Sequence, residues 1–174
     1  RYTERIGHQH FYDLPSLLRP GDVLVRNNTK VIPARLVGHK TTGGKMELLL
    51  LHRESLSTNG ERWTCLTRPG IKVGQNVHFS ETLTATCLEL RDYERLVEFN
   101  LQGPALMQAL YEVGHTPIPP YIKWNTDDEA ALREKYQTMY AKFEGSAAAP
   151  TAGLHFTPEV EAALLAKGIT ILEV

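Results

Sequence analysis

The middle of the chain has a β pattern of hydrophobic and polar positions. From Val31 to Phe99, short apolar or alternating runs are separated by turn residues, as in strands joined by hairpins. The predicted strands are Val31–His39, Lys45–His52, Arg62–Thr67, Asn76–Ser80, Thr84–Arg91 and Leu96–Asn100. The breaks between them fall at Thr42-Gly43-Gly44, Thr58-Asn59-Gly60, Pro69-Gly70 and Val73-Gly74. This regular spacing predicts a small antiparallel β-barrel.

Helical patterns lie on both sides of this segment. Before it, we predict a short helix and a strand at Leu14–Leu18 and Asp22–Arg26. After it, Pro104 suits the first turn of a helix that Gly114 ends. The inward residues of this helix are predicted to be Leu106, Met107 and Leu110. The prolines of Pro117–Pro120 then favour a stiff, extended chain.

Two further helices and a strand complete the pattern. Thr126 and Glu129 have the spacing of a capping box. The apolar stripe of the helix they begin is predicted as Leu132, Tyr136, Met139, Tyr140 and Phe143. Thr157 is a good N-cap for the last helix, and Gly168 suits its end. Its apolar face is predicted as Val160, Ala163 and Leu164, and a strand follows at Ile169–Val174. The fold class predicted is α/β with an inserted small antiparallel β-barrel domain.

Composition excludes few classes of protein. The 174 residues suffice for one or two domains, and the formal net charge of -1 argues against tight nonspecific nucleic-acid binding but not against a local basic patch. Cys65 and Cys87 are too few and too far apart for a metal cluster or a disulfide framework. We therefore expect a reduced, cytoplasmic protein with both cysteines in its core. No apolar run approaches membrane-spanning length, and the N-terminus does not have the pattern of a signal peptide.

The segment Glu144–Thr157 is the most unusual stretch of the chain. It is small and apolar, yet it contains Thr151 and His155 and leads into a helix start. A loop of this composition lets a ligand approach the backbone closely, and the helix N-terminus offers free N–H groups to an anion. A tightly packed turn between core elements explains the same composition, so spacing alone leaves both interpretations open.

A resemblance favours the functional interpretation. The run Ala148-Ala-Pro-Thr-Ala-Gly-Leu-His-Phe156 resembles a signature of the S-adenosylmethionine:tRNA ribosyltransferase-isomerases, the enzymes of queuosine synthesis. Other stretches resemble the same family in the same order: Asn27–Leu36, Gly43–Leu50, Gly114–Ile122 and Tyr136–Tyr140. The resemblance therefore extends over nearly the whole chain.

The resemblance implies a fold, a reaction and a longer protein. Members of the family are roughly twice this long, which implies that this chain is a piece lacking both ends. It also implies a discontinuous α/β catalytic domain of residues 1–32 and 118–174, with the barrel domain inserted as residues 33–117. The implied reaction moves and isomerises the ribosyl group of S-adenosylmethionine onto an aminomethyl-deazaguanine at the tRNA wobble position. Adenine and methionine leave, and no metal takes part. The implied partners are S-adenosylmethionine and tRNA, and we expect a monomer.

Such a reaction needs a group that moves a proton and groups that hold the co-substrate. His155 is the first candidate for proton transfer, because its ordinary pKa lies near working pH. Thr151, Ala152 and Gly153 are candidates for holding the polar ends of S-adenosylmethionine. A buried histidine bonded to backbone and a plain tight turn are the competing interpretations.

A second cluster follows the first predicted strand. Asn27, Asn28 and Thr29 place short hydrogen-bonding side chains at a strand end, where α/β sites often lie, and they are candidates for binding S-adenosylmethionine. Arg35 is a candidate catalytic residue that would hold a carboxylate or phosphate bidentately. An asparagine turn and a surface ion pair are the alternatives.

The tRNA contacts are predicted from a basic run. No Asp or Glu occurs from Val23 to Met46, whereas five basic residues do: Arg26, Lys30, Arg35, Lys40 and Lys45. We take Lys30, Lys40 and Lys45 as candidate contacts to the tRNA backbone, although a solvated face is the usual explanation of such a run. His115 and Tyr121 flank the proline segment and are candidates for stacking on a base.

Two other functions remain as alternatives. A non-catalytic RNA-binding β-barrel module with helical flanks would explain the barrel and the basic run but not the small-residue segment. An S-adenosylmethionine methyltransferase would be expected to carry a glycine-rich strand–turn–helix fingerprint, which this sequence lacks.

Overall fold

The structure is a computed structural model and describes residues 6–119 and 128–174. In chain order its strands are β1 Val23–Arg26, β2 Thr29–Val31, β3 Arg35–Lys40, β4 Lys45–Leu56, β5 Glu61–Arg68, β6 Asn76–His78, β7 Thr84–Arg91, β8 Glu94–Phe99, β9 Phe143–Ser146 and β10 Thr170–Glu173. Its α-helices are α1 Leu14–Leu17, α2 Gly103–Val113, α3 Glu129–Lys135 and α4 Pro158–Ala166. Short 3₁₀ turns lie at Phe11–Asp13 and Thr151–His155.

The predicted barrel is confirmed. Six antiparallel strands close in the order β3-β4-β5-β8-β7-β6. Along β4, the buried residues Met46, Leu48 and Leu50 alternate with more exposed ones, as expected for a strand with one face on the core. Buried side chains of α2 join the same core, so this helix packs on the barrel. Cys65 and Cys87 are both buried there, as predicted.

The predicted strand Val31–His39 is in fact two strands. β2 ends at Val31 and pairs with β9, whereas β3 begins at Arg35 and belongs to the barrel. Pro33 stands between them and has no N–H to donate to a ladder. The pairing partner therefore changes from β9 to the barrel strands across this proline.

Strands on either side of the barrel pair with each other. β1 pairs in parallel with β10, and β2 pairs in parallel with β9. The chain between the members of each pair contains the whole barrel, which confirms the predicted fold class with an inserted barrel. The predicted domain boundaries stay a prediction.

The last helix covers one face of the β1–β10 pair. Thr157 caps it as predicted, because its hydroxyl accepts a hydrogen bond from Val160 N at 3.4 Å. Gly168 ends it in a left-handed conformation with φ of 79°. Val160 and Leu164 are buried as predicted, but the expectation for Ala163 was wrong, since this residue is exposed.

The helix after the proline segment is shorter than predicted. It begins after Asp128, whose carboxylate accepts from Ala131 N at 2.9 Å; the other predicted cap, Thr126, lies outside the described residues. It ends at Lys135, so Met139 and Phe143, both exposed, are not part of an apolar stripe. The amide of Gln137 explains the change: it accepts from Val31 N at 2.9 Å and donates to Val31 O at 2.8 Å, replacing a strand partner.

Candidate active site

Asn27 and Asn28 lie where two parallel strands end. The backbone N–H of Asn28 donates to Val174 O at 3.0 Å, just beyond the ends of β1 and β10. The side-chain oxygen of Asn27 accepts from Thr29 N at 2.8 Å, which forms an Asx turn. The predicted strand-end position is thus present, and the turn geometry of the alternative interpretation is present with it.

A cavity of about 270 Å³ opens at this strand end, and we call it the strand-end cavity. Its polar and small lining residues are Arg26, Asn27, Tyr140, Pro150, Ala152 and Gly153. Three of the predicted co-substrate residues, Asn27, Ala152 and Gly153, therefore meet in one cavity, although Asn27 is more than a hundred positions from the other two in sequence. Asn28 and Thr29 stand beside the cavity without lining it.

The small-residue segment folds into a tight turn against Tyr140. Gly153 N donates to Pro150 O at 2.7 Å, and Phe156 N donates to Gly153 O at 3.1 Å. A Cβ added at Gly153 would lie 2.1 Å from the Tyr140 hydroxyl, so only glycine fits unless the tyrosine moves. Close packing therefore accounts for this glycine, and it brings the backbone of the turn to the edge of the cavity.

A buried arginine that sequence reasoning did not select forms part of the cavity wall. The Arg26 guanidinium donates to Glu161 at 2.8 Å and to Glu173 at 2.7 Å. It also lies 3.9 Å from the centre of the Tyr140 ring, a cation–π distance. Burial disfavours the charged guanidinium, but the bonds to Glu161 and Glu173 outweigh it, and the pKa of Arg26 is raised.

Glu173 connects Arg26 to the asparagine turn. Its carboxylate accepts from Lys142 and Arg26, and from the Asn28 amide at 3.4 Å. The Lys142 hydrogen bond first, and then the Arg26 bond, lower the pKa of Glu173 to about 2. The side chain of Asn28 is 7% exposed, so it acts within this network rather than in the open cavity.

His155 lies in a neighbouring cavity. This cavity has a volume of about 450 Å³ and is lined by Gln9, His10, Phe11, Leu14, Leu17 and His155. Phe11 and Leu14 also line the strand-end cavity, so the two cavities share a wall. His155 is exposed, and its ring centre lies 5.5 Å from that of Phe11; Thr151 is also exposed and lines neither cavity.

Arg35 lies in a third cavity, which we call the barrel-side cavity. It measures about 380 Å³ and is lined by Arg35, Glu47, Leu49, Leu51, Arg68, Pro117, Ile118, Pro119, Tyr136, Ala147 and Ala148. Arg35 Nε donates to Glu47 Oε1 at 2.7 Å, and the two side chains are 41% and 35% exposed. The ion pair that the sequence left as an alternative is therefore present, and Arg35 does not line the strand-end cavity.

His115 is fixed beside Arg35 by the backbone. Arg35 N donates to His115 O at 3.1 Å, and His115 N donates to Arg35 O at 2.8 Å. The exposed His115 ring lies 3.6 Å from the Glu129 carboxylate. The other predicted stacking residue, Tyr121, lies outside the described residues.

Acidic residues outside the run pair with most of its basic residues. Arg26 and Arg35 are paired as described, and Lys30 lies 3.2 Å from Glu144. Lys40 donates to the Gly70 carbonyl at 2.6 Å, and Lys45 stands exposed on the same hairpin. Among the described residues, no carboxylate lies within ion-pair distance of Lys40 or Lys45, so these two cations carry the uncompensated charge of the run.

Other functional features are few in the described ranges. No group of three or more His, Cys, Asp or Glu side chains there is arranged to hold a metal ion. No helix of residues 6–119 and 128–174 is long and apolar enough to cross a membrane.

Comparison with known proteins adds a family match. A family profile described as "Queuosine biosynthesis protein" matches residues 1–174. Proteins named S-adenosylmethionine:tRNA ribosyltransferase-isomerase are 49% identical in Desulfitobacterium hafniense and 48% identical in Thermotoga maritima, each over 100% of this chain. The chain spans about half of their length, 50% and 49% respectively. A crystal structure of S-adenosylmethionine tRNA ribosyltransferase from Thermotoga maritima is 31% identical, with a TM-score of 0.40, over 98% of this chain and 45% of that one.

Proposed function

The chain belongs to the queuosine biosynthesis protein family, and on that premise we propose that it supplies substrate-binding and catalytic residues to an S-adenosylmethionine:tRNA ribosyltransferase-isomerase. The proposed reaction transfers the ribosyl group of S-adenosylmethionine to the aminomethyl-deazaguanine at the wobble position of tRNA. The ribose is isomerised, epoxyqueuosine forms, and adenine and methionine are released.

The strand-end cavity is the observation that carries this proposal. Asn27, Ala152 and Gly153 converge on it from two distant segments that both resemble family motifs. The amide of Asn27 and the backbone of the turn offer hydrogen bonds, while the apolar walls at Leu24 and Phe156 suit the adenine ring. Asn28 and Thr29 are proposed to shape the turn that presents Asn27.

The charge balance around Arg26, which lines the cavity, also suits a cationic co-substrate. Arg26 and Lys142 are matched by Glu161 and Glu173, so the network places no net positive charge beside the sulfonium. We propose that His155, from the neighbouring cavity, transfers the proton at the carbon next to the sulfur and that Thr151 orients the substrates. Arg35, which lines the barrel-side cavity, is proposed as a catalytic residue that holds a carboxylate or phosphate there.

The tRNA is proposed to contact the barrel hairpin. Lys40 and Lys45 approach the phosphate backbone from the hairpin, Lys30 adds a weaker contact, and His115 and Tyr121 stack on the extruded anticodon region. We propose that the protein acts as a monomer in the cytoplasm, where its tRNA substrate is found, and that it needs no metal.

Mass spectrometry of tRNA tests the reaction. Substrate tRNA carrying aminomethyl-deazaguanine is incubated with S-adenosylmethionine and full-length protein. Epoxyqueuosine in the tRNA together with free adenine is expected, whereas S-adenosylhomocysteine would indicate a methyltransferase. Bound but unconverted tRNA would favour the non-catalytic RNA-binding β-barrel module.

His155 has its own test in the same assay. His155→Ala is expected to reduce turnover more than S-adenosylmethionine affinity, because the exposed ring is proposed to move a proton rather than to hold the co-substrate. An unchanged rate would remove His155 from the chemistry.

A further inference from the structure

The small-residue segment separates two cavities. Ala147 and Ala148 line the barrel-side cavity, whereas Pro150, Ala152 and Gly153 line the strand-end cavity. Only one residue stands between Ala148 and Pro150, so their Cα atoms are at most about 7.6 Å apart. The two cavities therefore adjoin across the thickness of one backbone segment.

The segment between the cavities is held in place by Ala149. Ala149 is 8% exposed and packs in a small buried cluster with Val31 and Tyr136. Tyr136 in turn lines the barrel-side cavity, so this cluster supports both the segment and the cavity floor. A reaction between two bound substrates needs two adjoining sites, and two adjoining cavities meet that geometric requirement.

The barrel-side cavity combines apolar walls with an accessible ion pair. Leu49, Leu51, Pro117 and Tyr136 form surfaces suited to the faces of a planar heterocycle. Glu47 Oε1 accepts from Arg35, while Oε2 has no hydrogen-bond partner among the described residues. Arg68, also in the lining, adds a second guanidinium.

We propose that the barrel-side cavity binds the aminomethyl-deazaguanine base of the tRNA, with the Glu47 carboxylate accepting a hydrogen bond from its aminomethyl group. This proposal rests on the proposed function, because it assigns the second substrate of that reaction. The aminomethyl group carries a positive charge when protonated, and a carboxylate is the side chain that pairs with it. Arg35 holds that carboxylate in place, so Arg35 is a positioning residue here.

The same ion pair also matches another ligand. The methionine part of S-adenosylmethionine carries an ammonium and a carboxylate, which complement Glu47 and Arg35. The apolar walls favour the heterocycle over that short polar group, and the test below separates the two occupants.

The test measures binding in the full-length protein with Glu47→Gln. The probes are anticodon stem-loops that carry either aminomethyl-deazaguanine or guanine at the wobble position, and S-adenosylmethionine alone. The variant is expected to lose affinity for the modified stem-loop by about 10- to 100-fold, as for other specific base contacts, and to keep its affinity for the guanine stem-loop and for S-adenosylmethionine. Glu89→Gln, which changes an exposed carboxylate on the same barrel, is the matched control and should change none of the three.

Loss of S-adenosylmethionine affinity with intact stem-loop binding would overturn the proposal and assign the cavity to the methionine part. Equal affinity of the wild type for the two stem-loops would also overturn it. Failure of the enzyme to form epoxyqueuosine, with Glu47-dependent discrimination preserved, would instead reject the proposed function alone.

A pair of cavity-filling variants gives an independent check. Ala148→Leu and Ala152→Leu alter exposed alanines of the same segment, one in each cavity. Ala148→Leu is expected to lower the affinity for the modified stem-loop by about tenfold or more. Ala152→Leu is expected to lower the affinity for S-adenosylmethionine similarly. In each case the added side chain occupies the site. The reverse pattern would contradict both assignments.

Discussion

The barrel and the α/β part of this molecule are stabilised in different ways. The barrel encloses a cluster of 18 buried apolar residues, to which α2 contributes. The two buried clusters of the α/β part contain three residues each among the described residues. Near these small clusters stands the buried Arg26 with its two carboxylate partners. The barrel therefore has the larger apolar core, with a buried carboxylate, Glu61, paired to Arg53, whereas the α/β part combines two small apolar clusters with the Arg26 network.

The two regions also differ in how far apart in sequence their contacts are. Neighbouring barrel strands such as β3 and β4 are joined by a hairpin, with His39 opposite Lys45. In the α/β part, Val23 lies opposite Thr170, and the barrel is inserted between them. Closing so long a loop costs more chain entropy than closing a hairpin. Hairpins supply much of the barrel pairing, although β3–β6 and β5–β8 join strands that are not consecutive, whereas the strand-end cavity requires that still more distant segments meet.

Deleting core side chains should show this difference most strongly. Leu48→Ala in the barrel and Leu164→Ala on α4 both truncate residues of 0% exposure. Leu48→Ala is expected to lower the free energy of unfolding by about 3–5 kcal/mol and Leu164→Ala by about 2–3 kcal/mol, because the smaller cluster can relax around the cavity. Urea denaturation measures both losses.

The exposed neighbour on the same helix provides the control. Leu165 is 54% exposed, so Leu165→Ala should change the free energy of unfolding by no more than about 0.5 kcal/mol. A larger loss for Leu164→Ala than for Leu48→Ala would contradict the view that the barrel holds the main apolar core.

The next largest effect is expected at Gly153, where both stability and binding should suffer. In Gly153→Ala the new methyl group forces the Tyr140 hydroxyl to move, and that ring both lines the strand-end cavity and contacts Arg26. We expect a loss of about 1–3 kcal/mol in stability and about tenfold in S-adenosylmethionine affinity. Calorimetric titration with S-adenosylmethionine measures the second effect.

The barrel offers a matched substitution. A Cβ at Gly70 would meet nothing within 4 Å, and its backbone has no positive φ, so Gly70→Ala should alter neither quantity. If Gly153→Ala bound S-adenosylmethionine normally, the strand-end cavity would not be the co-substrate site.

The two regions also differ in how well the sequence predicts them. The barrel strands follow from alternation over short runs, and Thr84–Arg91 is found with the predicted bounds. The prediction was wrong where one residue overrides the pattern. Pro33 divides the predicted strand Val31–His39 into two. The helix predicted from the apolar stripe ends at Lys135, and the Gln137 amide bonds the backbone of Val31 instead.

The site residues show the same limit. Asn27 and Gly153 could be selected from the sequence because family-like motifs contain them, and both line one cavity in the structure. Arg26 gave no such signal, since its carboxylate partners lie 135 and 147 residues away in sequence. A basic run likewise does not show which cations are neutralised: Glu144 lies 114 residues from Lys30, and Glu47 reaches Arg35 only through the β3–β4 hairpin.

A smaller effect is expected from acid. Hydrogen bonds from Lys142 and Arg26 lower the pKa of Glu173 to about 2, below its ordinary value of 4.5. This carboxylate therefore stabilises the folded α/β part fully above about pH 4.5, and the contribution is lost as the pH falls toward about 2. In Glu173→Gln the midpoint of thermal unfolding should depend less on pH in this window than in the wild type. An identical pH dependence would show that Glu173 does not couple folding to protonation. High salt should also reduce the effect, because the Lys142 side chain is 59% exposed.

The smallest effect concerns the barrel hairpin, where charge matters for tRNA rather than for folding. Within residues 6–119 and 128–174, Lys40 and Lys45 lack a carboxylate partner such as Lys30 has in Glu144. Each phosphate contact contributes about 0.7–0.9 to the slope of log affinity against log salt, so reversing both lysines should flatten that slope by about 1–2. Lys30→Glu should change it less, because the Glu144 pair already neutralises Lys30. Lys167→Glu makes the same charge change at the end of α4 and serves as the control. An unaltered slope in the variant with both Lys40 and Lys45 reversed would show that the hairpin does not contact the tRNA. The unpaired charges of these two lysines would then have no role in tRNA binding.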